Sequence, residues 1–346
     1  MKPCFLCLNS PSLIVQMSLM LLISSIVFGS VVPPAFADTP TSKRYQTSIP
    51  YTPSQYGQIL VQVKLNGCQT STFALDTGCS VSLVTDALVA KMRYASIPAI
   101  GSDGQPILFF PSKPTQMVTI PLLQMSNFRI LNSPYVVVSQ DLLTSLAGQP
   151  IDGILGAGTL TIYPMYFDFS KHRITLFSPS PTTAELAGVG MADAVAVPIT
   201  DLTTNNGFEF ASPVDMVNGS DRVQQNILID TGGKTTTISE DTAQRLHLHP
   251  VSGDITSPTL FGNIARKRAY LPTLYIGGLS VNNLPLLYTR DITKSFGTHL
   301  GLDVLTQFRV LLDFKQQIMY LKPIVPIIPS NPARGLSETK GRDKMP

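Results

Sequence analysis

The sequence predicts an all-β protein made of two similar β-barrel-like lobes, which are related by a pseudo-twofold axis and separated by a cleft. One observation is that short runs of alternating apolar and polar residues are separated by Gly, Pro, Asn and Asp, with little helical periodicity. The second is that three blocks of sequence occur twice in the same order. This repeat is too long for a solenoid, so we expect each copy to form one lobe.

The duplicated blocks correspond residue by residue. The offset between equivalent residues is 154 in the first block, 151 in the second and 145 in the third, as short deletions between the blocks would produce. Representative pairs are Leu75 with Ile229, Leu123 with Leu274, and Leu155 with Leu300.

The 346 residues divide into six predicted segments. Residues 1–37 have the pattern of an export signal, because an apolar stretch ends in the small-x-small cleavage site Ala35-Phe36-Ala37. An uncleaved membrane anchor is the alternative, since the apolar stretch approaches spanning length. Residues 38–56 form either an extended leader or the first strand of a sheet between the lobes. The lobes are predicted at 57–177 and 191–325, with a linker at 178–190 and a disordered tail at 326–346.

Each lobe is predicted to begin with a β-hairpin. Alternating residues from Ile59 lead to the turn Asn66-Gly67, and Asn218-Gly219 takes the same place in the second copy. Thr85 and Ser239 have the chemistry of N-caps for short helices over residues 86–92 and 240–246. Each lobe then closes with two strands joined by a turn, which follows Asp168 in one copy and Asp313 in the other.

The same tripeptide follows the returning strand of each hairpin, as Asp76-Thr77-Gly78 and Asp230-Thr231-Gly232. Its Gly has no Cβ, so another part of the backbone can approach closely. A pseudo-twofold axis would bring the two loops face to face, and two carboxyl groups about 3 Å apart share one proton. The ionised partner of such a pair can accept a proton from water while the protonated partner donates to a carbonyl group under attack.

These motifs resemble the active-site loops of aspartic proteases of the pepsin/retropepsin superfamily, over roughly residues 57–325. The superfamily's later apolar-apolar-Gly motif is present as Ile154-Leu155-Gly156 and, with His in place of one apolar residue, as His299-Leu300-Gly301. Locally the sequence is similar to bacterial retropepsin-like proteins, whereas two lobes in one chain resemble pepsin. The resemblance implies that Asp76 and Asp230 are the catalytic pair. It also implies support from the remaining loop residues: Thr77 and Thr231 lock the loops together by hydrogen bonds, and Gly78 and Gly232 line the floor beneath the substrate.

The sequence departs from the superfamily pattern next to both loops. The residue after each Gly is Cys79 in one copy and Gly233 in the other, where pepsins often have a Ser or Thr that supports the carboxylate. Lys234 places a cation close to Asp230, where it either lowers the pKa values of the carboxyl pair or points to solvent. The superfamily's Tyr-Gly-x-Gly flap motif is absent, and the flap is assigned by position alone to residues 100–104.

Other classes of function find little support in the composition. The 25 Lys and Arg residues and 22 Asp and Glu residues are spread without runs, so no nucleic-acid partner is indicated. Only Cys68 and Cys79 remain after signal cleavage, and the strand between them separates them too far for a disulfide. We expect no cofactor and no metal, because His247 and His249 alone do not make a site.

The sequence therefore predicts an exported aspartic endopeptidase, periplasmic or secreted, that binds a polypeptide substrate in extended conformation. We expect a monomer with no membrane attachment once the signal is removed. The alternative is a catalytically weak or inactive homologue that binds peptides or proteins in the cleft between the lobes.

Overall fold

A computed structural model describes residues 44–100, 104–107, 114–203, 207–251, 253–260, 262–290 and 298–324. The predicted signal, the tail from residue 326 and residues 101–103 of the predicted flap lie outside the described residues. Within the described ranges the chain is predominantly β, and its two barrel-like lobes confirm the predicted fold class.

The first lobe is an eight-stranded sheet with the order β2-β3-β4-β9-β5-β8-β7-β6, and an additional β3–β7 pairing closes it towards a barrel. On β3 the side chains at alternate positions point into the core, because Val61, Val63 and Leu65 are buried while Gln62 and Lys64 are exposed. The strands are β2 Thr52–Pro53, β3 Ile59–Leu65, β4 Gln69–Asp76, β5 Leu83–Thr85, β6 Ile97–Pro98, β7 Gln116–Met125, β8 Phe128–Val138 and β9 Gly153–Gly156.

The second lobe repeats this topology strand for strand, in the order β13-β14-β15-β20-β16-β19-β18-β17 with a closing β14–β18 pairing. The predicted duplication therefore appears in the strand order as well as in the sequence. The strands are β13 Thr200–Asp201, β14 Phe210–Asn218, β15 Asp221–Ile229, β16 Thr237–Ser239, β17 Ile255–Thr259, β18 Gly262–Ile276, β19 Leu279–Thr289 and β20 His299–Leu300.

A third sheet of six strands joins the lobes, in the order β1-β11-β10-β21-β22-β12. At its centre β10 of the first lobe pairs antiparallel with β21 of the second, so that Met165 lies opposite Leu312. Residues 45–50 of the predicted leader are the edge strand of this sheet, which is the second of the two alternatives predicted for that segment. The strands are β1 Tyr45–Pro50, β10 Met165–Asp168, β11 Arg173–Ser178, β12 Val195–Pro198, β21 Phe308–Asp313 and β22 Ile318–Pro323.

The turns follow the predicted chemistry. Asn66 and Gly67 have φ angles of 49° and 76°, the left-handed conformation that suits Asn-Gly in a hairpin. In the second lobe Gly219 has φ 60° at the matching place. Asp168 and Asp313 each accept a backbone N–H three residues on, from Lys171 (3.2 Å) and Gln316 (3.1 Å), so both stabilise turns.

The helices are short and lie between strands. Thr85 caps the first helix by accepting from Leu88 N (3.2 Å), and Ser239 caps its counterpart by accepting from Thr242 N (3.1 Å), as predicted. The predicted linker also contains a helix, because Thr182 and Glu185 form a capping box. The helices are α1 Asp86–Met92, α2 Gln140–Ala147, α3 Ala157–Leu160, α4 Thr183–Gly188, α5 Glu240–Arg245 and α6 Leu302–Leu305, with a 3-10 turn at Phe169–Lys171.

Candidate active site

The two Asp-Thr-Gly loops meet where the lobes face each other. Asp76 is the last residue of β4 and lies opposite Gly156 of β9, which runs parallel to β4. Asp230 directly follows β15, and its N–H donates to the carbonyl oxygen of Leu300 on β20 (3.0 Å). Both carboxyl groups are thus carried at the ends of central strands, which restrain the loops more than a free connection would.

Four hydrogen bonds lock the two loops together. The N–H of Thr77 donates to the Thr231 hydroxyl (3.1 Å), and the N–H of Thr231 donates to the Thr77 hydroxyl (3.0 Å). Each hydroxyl then donates to a carbonyl oxygen of the opposite lobe, Thr77 to Ile229 (2.6 Å) and Thr231 to Leu75 (3.1 Å). All four bonds are buried, so they are protected from competition by water.

The carboxyl groups of Asp76 and Asp230 are in hydrogen-bonding contact. The inner oxygen of Asp76 accepts the N–H groups of Gly78 and Cys79 (both 2.9 Å). The inner oxygen of Asp230 accepts two matching N–H groups, those of Gly232 and Gly233 (both 2.8 Å). The outer oxygens are therefore the ones left for solvent, for each other or for a bound molecule.

The glycines of the two loops lie against the opposite carboxyl groups. A Cβ atom on Gly78 would come within 2.6 Å of Asp230 Cγ, and one on Gly232 would overlap the Asp76 carboxyl group. Separations below 3.0 Å do not occur for real Cβ atoms. Only Gly at both places allows the carboxyl groups to come into contact.

Burial raises the pKa of the Asp76 carboxyl group well above its usual range. The charge of Asp230 and the hydrogen bond between the two carboxyl groups raise it further, and the N–H groups of Cys79 and Gly78 offset this only in part. A proton is therefore retained on Asp76 at pH values where an exposed Asp is ionised.

The structure explains the two residues beside the Asp230 loop, Gly233 and Lys234, that depart from the superfamily pattern. The backbone supports both carboxyl groups equally, so the loss of a side-chain donor at Gly233 is compensated. A Cβ on Gly233 would lie 2.5 Å from Asp230 Oδ2, which excludes a larger residue there without displacement of the carboxyl group. Lys234 is exposed and its stem passes Gly57; it forms no ion pair with Asp230 in the described part of the chain. Of the two placements predicted for this lysine, the structure shows the solvent-facing one.

A second ring of hydrogen bonds braces each loop, and sequence reasoning missed it. The Ser82 hydroxyl accepts from Gly156 N (3.0 Å), and at the equivalent place the Thr236 hydroxyl accepts from Gly301 N (3.0 Å). Asp303 adds to the second brace by accepting from the Thr236 hydroxyl (2.6 Å). The offset of 154 that relates the two loops also relates Ser82 to Thr236, so the repeat carried the signal.

Two basic side chains flank Asp230, whereas the equivalent positions of the first lobe carry uncharged residues. His299 Nε2 lies 3.7 Å from Asp230 Oδ2. Arg266, on β18, is close enough for Asp230 and His299 to sense its charge. Burial lowers the pKa of His299 and the charge of Arg266 lowers it further, while Asp230 and a hydrogen bond to Thr235 oppose these effects. The equivalent residues in the first lobe are Ile154 and Thr115.

A hairpin of the second lobe reaches the first lobe beside this site. It consists of β17 and β18, and Leu260 at its tip packs on an apolar cluster of the first lobe together with Leu142 and Leu146. In the first lobe the flap predicted at 100–104 is described only at its ends, where Ile100 pairs with Pro106. Among the residues that the structure describes, it is this second-lobe hairpin that reaches across to the other lobe.

The remaining candidate residues lie elsewhere. His247 follows α5 and its Nδ1 lies 2.8 Å from Asp221 Oδ2, so it forms part of a surface ion pair. Cys68 is exposed, and the buried Cys79 thiol donates to the carbonyl oxygen of Val81 (3.0 Å). In the ranges that the structure describes, no group of three or more His, Cys, Asp or Glu residues could hold a metal ion. No helix in those same ranges has the length and apolarity needed to cross a membrane.

Two β lobes, each with an Asp-Thr-Gly loop at their interface, define the bilobal class of aspartic protease folds. The aspartyl protease family model matches residues 61–159 and 214–304, and the chain belongs to this family.

Solved structures of aspartic proteases are similar to this chain. An aspartic proteinase from Irpex lacteus is 14% identical with a TM-score of 0.48, over 81% of this chain and 97% of that one. A retropepsin-like aspartic protease from Rickettsia conorii is 14% identical with a TM-score of 0.30, over 39% of this chain and 93% of that one. No curated protein sequence matches the chain.

Proposed function

We propose that the protein is an exported aspartic endopeptidase that hydrolyses peptide bonds with Asp76 and Asp230. The observation that carries this proposal is the contact between the two carboxyl groups, each held through its inner oxygen by two backbone N–H groups. Because the backbone holds the inner oxygens, the outer oxygens of the two carboxyl groups are the ones available to bind a water molecule. This is the arrangement needed to activate a single water molecule.

The two carboxyl groups have different tasks in the proposed reaction. Asp76 retains its proton because its pKa is raised, so it donates a hydrogen bond to the carbonyl oxygen of the scissile peptide. The pair shares one proton, so with that proton on Asp76 it is Asp230 that has an oxygen free to accept another. Asp230 is therefore the general base that accepts a proton from water, and it passes this proton to the leaving nitrogen as the hydrated carbonyl collapses and the C–N bond breaks.

The substrate is proposed to be a polypeptide in extended conformation, bound in the cleft between the lobes. Exposed edges of β-hairpins bind extended peptides through main-chain hydrogen bonds, and side-chain pockets add preference. The export of the protein and its action as a monomer are proposed from the signal-like residues 1–37 and the presence of both loops in one chain.

The proposal is tested by incubating purified residues 38–346 with an unstructured protein and identifying new termini by mass spectrometry. Asp76→Asn and Asp230→Asn remove one carboxyl group each, and Asp193→Asn is the matched control, because the Asp193 side chain is 89% exposed. We expect cleavage by the parent and the control and a loss of at least about a hundredfold in both loop variants.

Two outcomes would contradict the proposal. Cleavage that survives in either loop variant would show that the pair does not act as proposed. A folded parent that binds peptides but does not cleave them between pH 3 and 8 would favour the peptide-binding homologue instead.

A further inference from the structure

We propose that Arg266 forms an anion-binding subsite beside Asp230, which takes a carboxylate group of the bound peptide. The inference rests on the proposed function, since it names the class of peptide that the cleft prefers. The carboxylate belongs either to an Asp or Glu side chain or to the free C-terminus of the peptide.

Arg266 is carried over the cleft by the hairpin that joins the lobes. It lies on β18 opposite Ile255 of β17, between the body of the second lobe and the tip at Leu260 that packs on the first lobe. A position on a paired strand whose far end is anchored restrains the backbone of Arg266. Arg266 as a whole residue is half-buried, so part of it remains in contact with solvent.

The guanidinium group has no partner among the residues that the structure describes. Its Nε–H is buried without a hydrogen-bond acceptor, and Arg266 takes part in none of the ion pairs found there. A cation that is partly withdrawn from water and lacks a partner is unfavourable, and a bound anion would satisfy it. Arginine presents a rigid fork of donors that matches a carboxylate in particular.

Asp230 does not form an ion pair with Arg266. The charge of Asp230 acts on the guanidinium group, yet the two do not lie within the 4.0 Å of an ion pair. His299 is the nearer basic neighbour of Asp230, with its Nε2 3.7 Å from Asp230 Oδ2. The reacting carboxyl group therefore leaves the donors of Arg266 unused, and a carboxylate of the peptide can accept from them.

The two lobes differ in charge at the positions of the subsite. At the positions equivalent to Arg266 and His299 the first lobe has Thr115 and Ile154, which carry no charge. Among the residues that the structure describes, a peptide bound across both lobes therefore meets this cationic subsite on its Asp230 side. We expect an acidic residue to be favoured on one side of the scissile bond and not on the other.

The test uses octapeptides in which a single Glu or Gln is moved through every position, each with a free or an amidated C-terminus. Cleavage rates are measured for the parent, for Arg266→Met and for Arg266→Lys. Arg268→Met is the matched control, because Arg268 lies on the same strand and is exposed. Binding of the same peptides to Asp76→Asn proteins, with and without Arg266→Met, is measured in parallel and requires no catalysis.

We expect one position at which Glu raises kcat/KM over Gln by about ten- to a hundredfold, the range for a charge-assisted hydrogen bond. Arg266→Met should abolish this preference mainly through KM, Arg266→Lys should keep part of it, and Arg268→Met should keep all of it. If amidation rather than Gln removes the preference, the carboxylate is that of the C-terminus.

The outcomes separate this subsite from the proposed function. Cleavage without any Glu or C-terminal preference, or a preference unaffected in Arg266→Met, would overturn the subsite while leaving the protease intact. Tighter binding of Glu peptides that depends on Arg266, in a protein that never cleaves them, would support the subsite and refute the protease. An equal loss for Glu and Gln peptides in Arg266→Met would assign Arg266 to the carboxyl pair instead and overturn its role in recognition.

Discussion

Replacing Gly78 with Ala tests whether the contact between the loops is needed for activity. The added Cβ would lie 2.6 Å from Asp230 Cγ and 2.7 Å from Asp230 Oδ1. An ordinary contact for such atoms begins at 3.4 Å, so the Asp230 carboxyl group must retreat by roughly 0.8 Å. Its inner oxygen is held by two backbone N–H groups, which resist this movement.

The displacement should lower kcat/KM strongly and the free energy of unfolding moderately. A misplacement of about 1 Å at a reacting group lowers the rate by about a hundredfold, or ~2.7 kcal/mol in the activation barrier. Overpacking of this size costs about 1–3 kcal/mol of unfolding free energy. We therefore expect Gly78→Ala to be folded and to have about one hundredth of the parent's kcat/KM.

The assay compares kcat/KM for one peptide with the midpoint of denaturant unfolding. Gly188→Ala is the matched control, because Gly188 is exposed at the end of α4 and a Cβ there meets no atom within 4 Å. The control should match the parent in both measurements. A Gly78→Ala protein within twofold of the parent's kcat/KM would refute the claim that the two carboxyl groups must touch.

Three further predictions concern the hydrogen bonds between the two loops, the proton shared by Asp76 and Asp230, and the hairpin of β17 and β18. Thr231→Val leaves the Thr77 N–H without its acceptor in a buried place and should cost about 2–4 kcal/mol of unfolding free energy, whereas Thr231→Ser should cost ~1 kcal/mol; equal costs in denaturant unfolding would contradict the lock. The raised pKa of Asp76 destabilises the folded parent as pH rises from about 4 towards that pKa, because only the unfolded state releases the proton. Asp76→Asn should therefore gain stability over the parent across that range in urea unfolding, by up to ~1.4 kcal/mol for each pH unit, and a constant difference would argue against the shared proton. Leu260→Ser should speed hydrogen exchange at residues 255–259 relative to the exposed control Val251→Ser, and unchanged exchange would show that the tip does not anchor the hairpin.

The sequence predicted the fold well because the duplication left a local record in each copy. Turn residues such as Asn66-Gly67 and caps such as Thr85 act within a few residues, and their chemistry can be recognised without a structure. The contact between Asp76 and Asp230 required one further assumption, the pseudo-twofold axis, which the repeat itself supplied. The matching strand orders of the two lobes show why that assumption succeeded.

The features that were missed depend on contacts between distant parts of the chain. Arg266 reads in the sequence as an ordinary basic residue within a strand, and only the path of the hairpin brings it near Asp230. The sequence left the orientation of Lys234 open for the same reason. Side chains in a loop do not alternate regularly as they do in a strand, so the sequence does not determine which way they point. Asp303 braces Thr236, which lies 67 residues away in the sequence.

The pH dependence of kcat/KM tests the central claim most directly, because a pair of carboxyl groups that shares one proton is active only in its singly protonated form. We expect a bell-shaped profile for the parent, with a limb on the alkaline side that reflects the raised pKa of Asp76. Asp76→Asn and Asp230→Asn should reduce the rate at every pH. A parent profile with a single ionisation, or the same bell in either variant, would contradict the shared proton between Asp76 and Asp230.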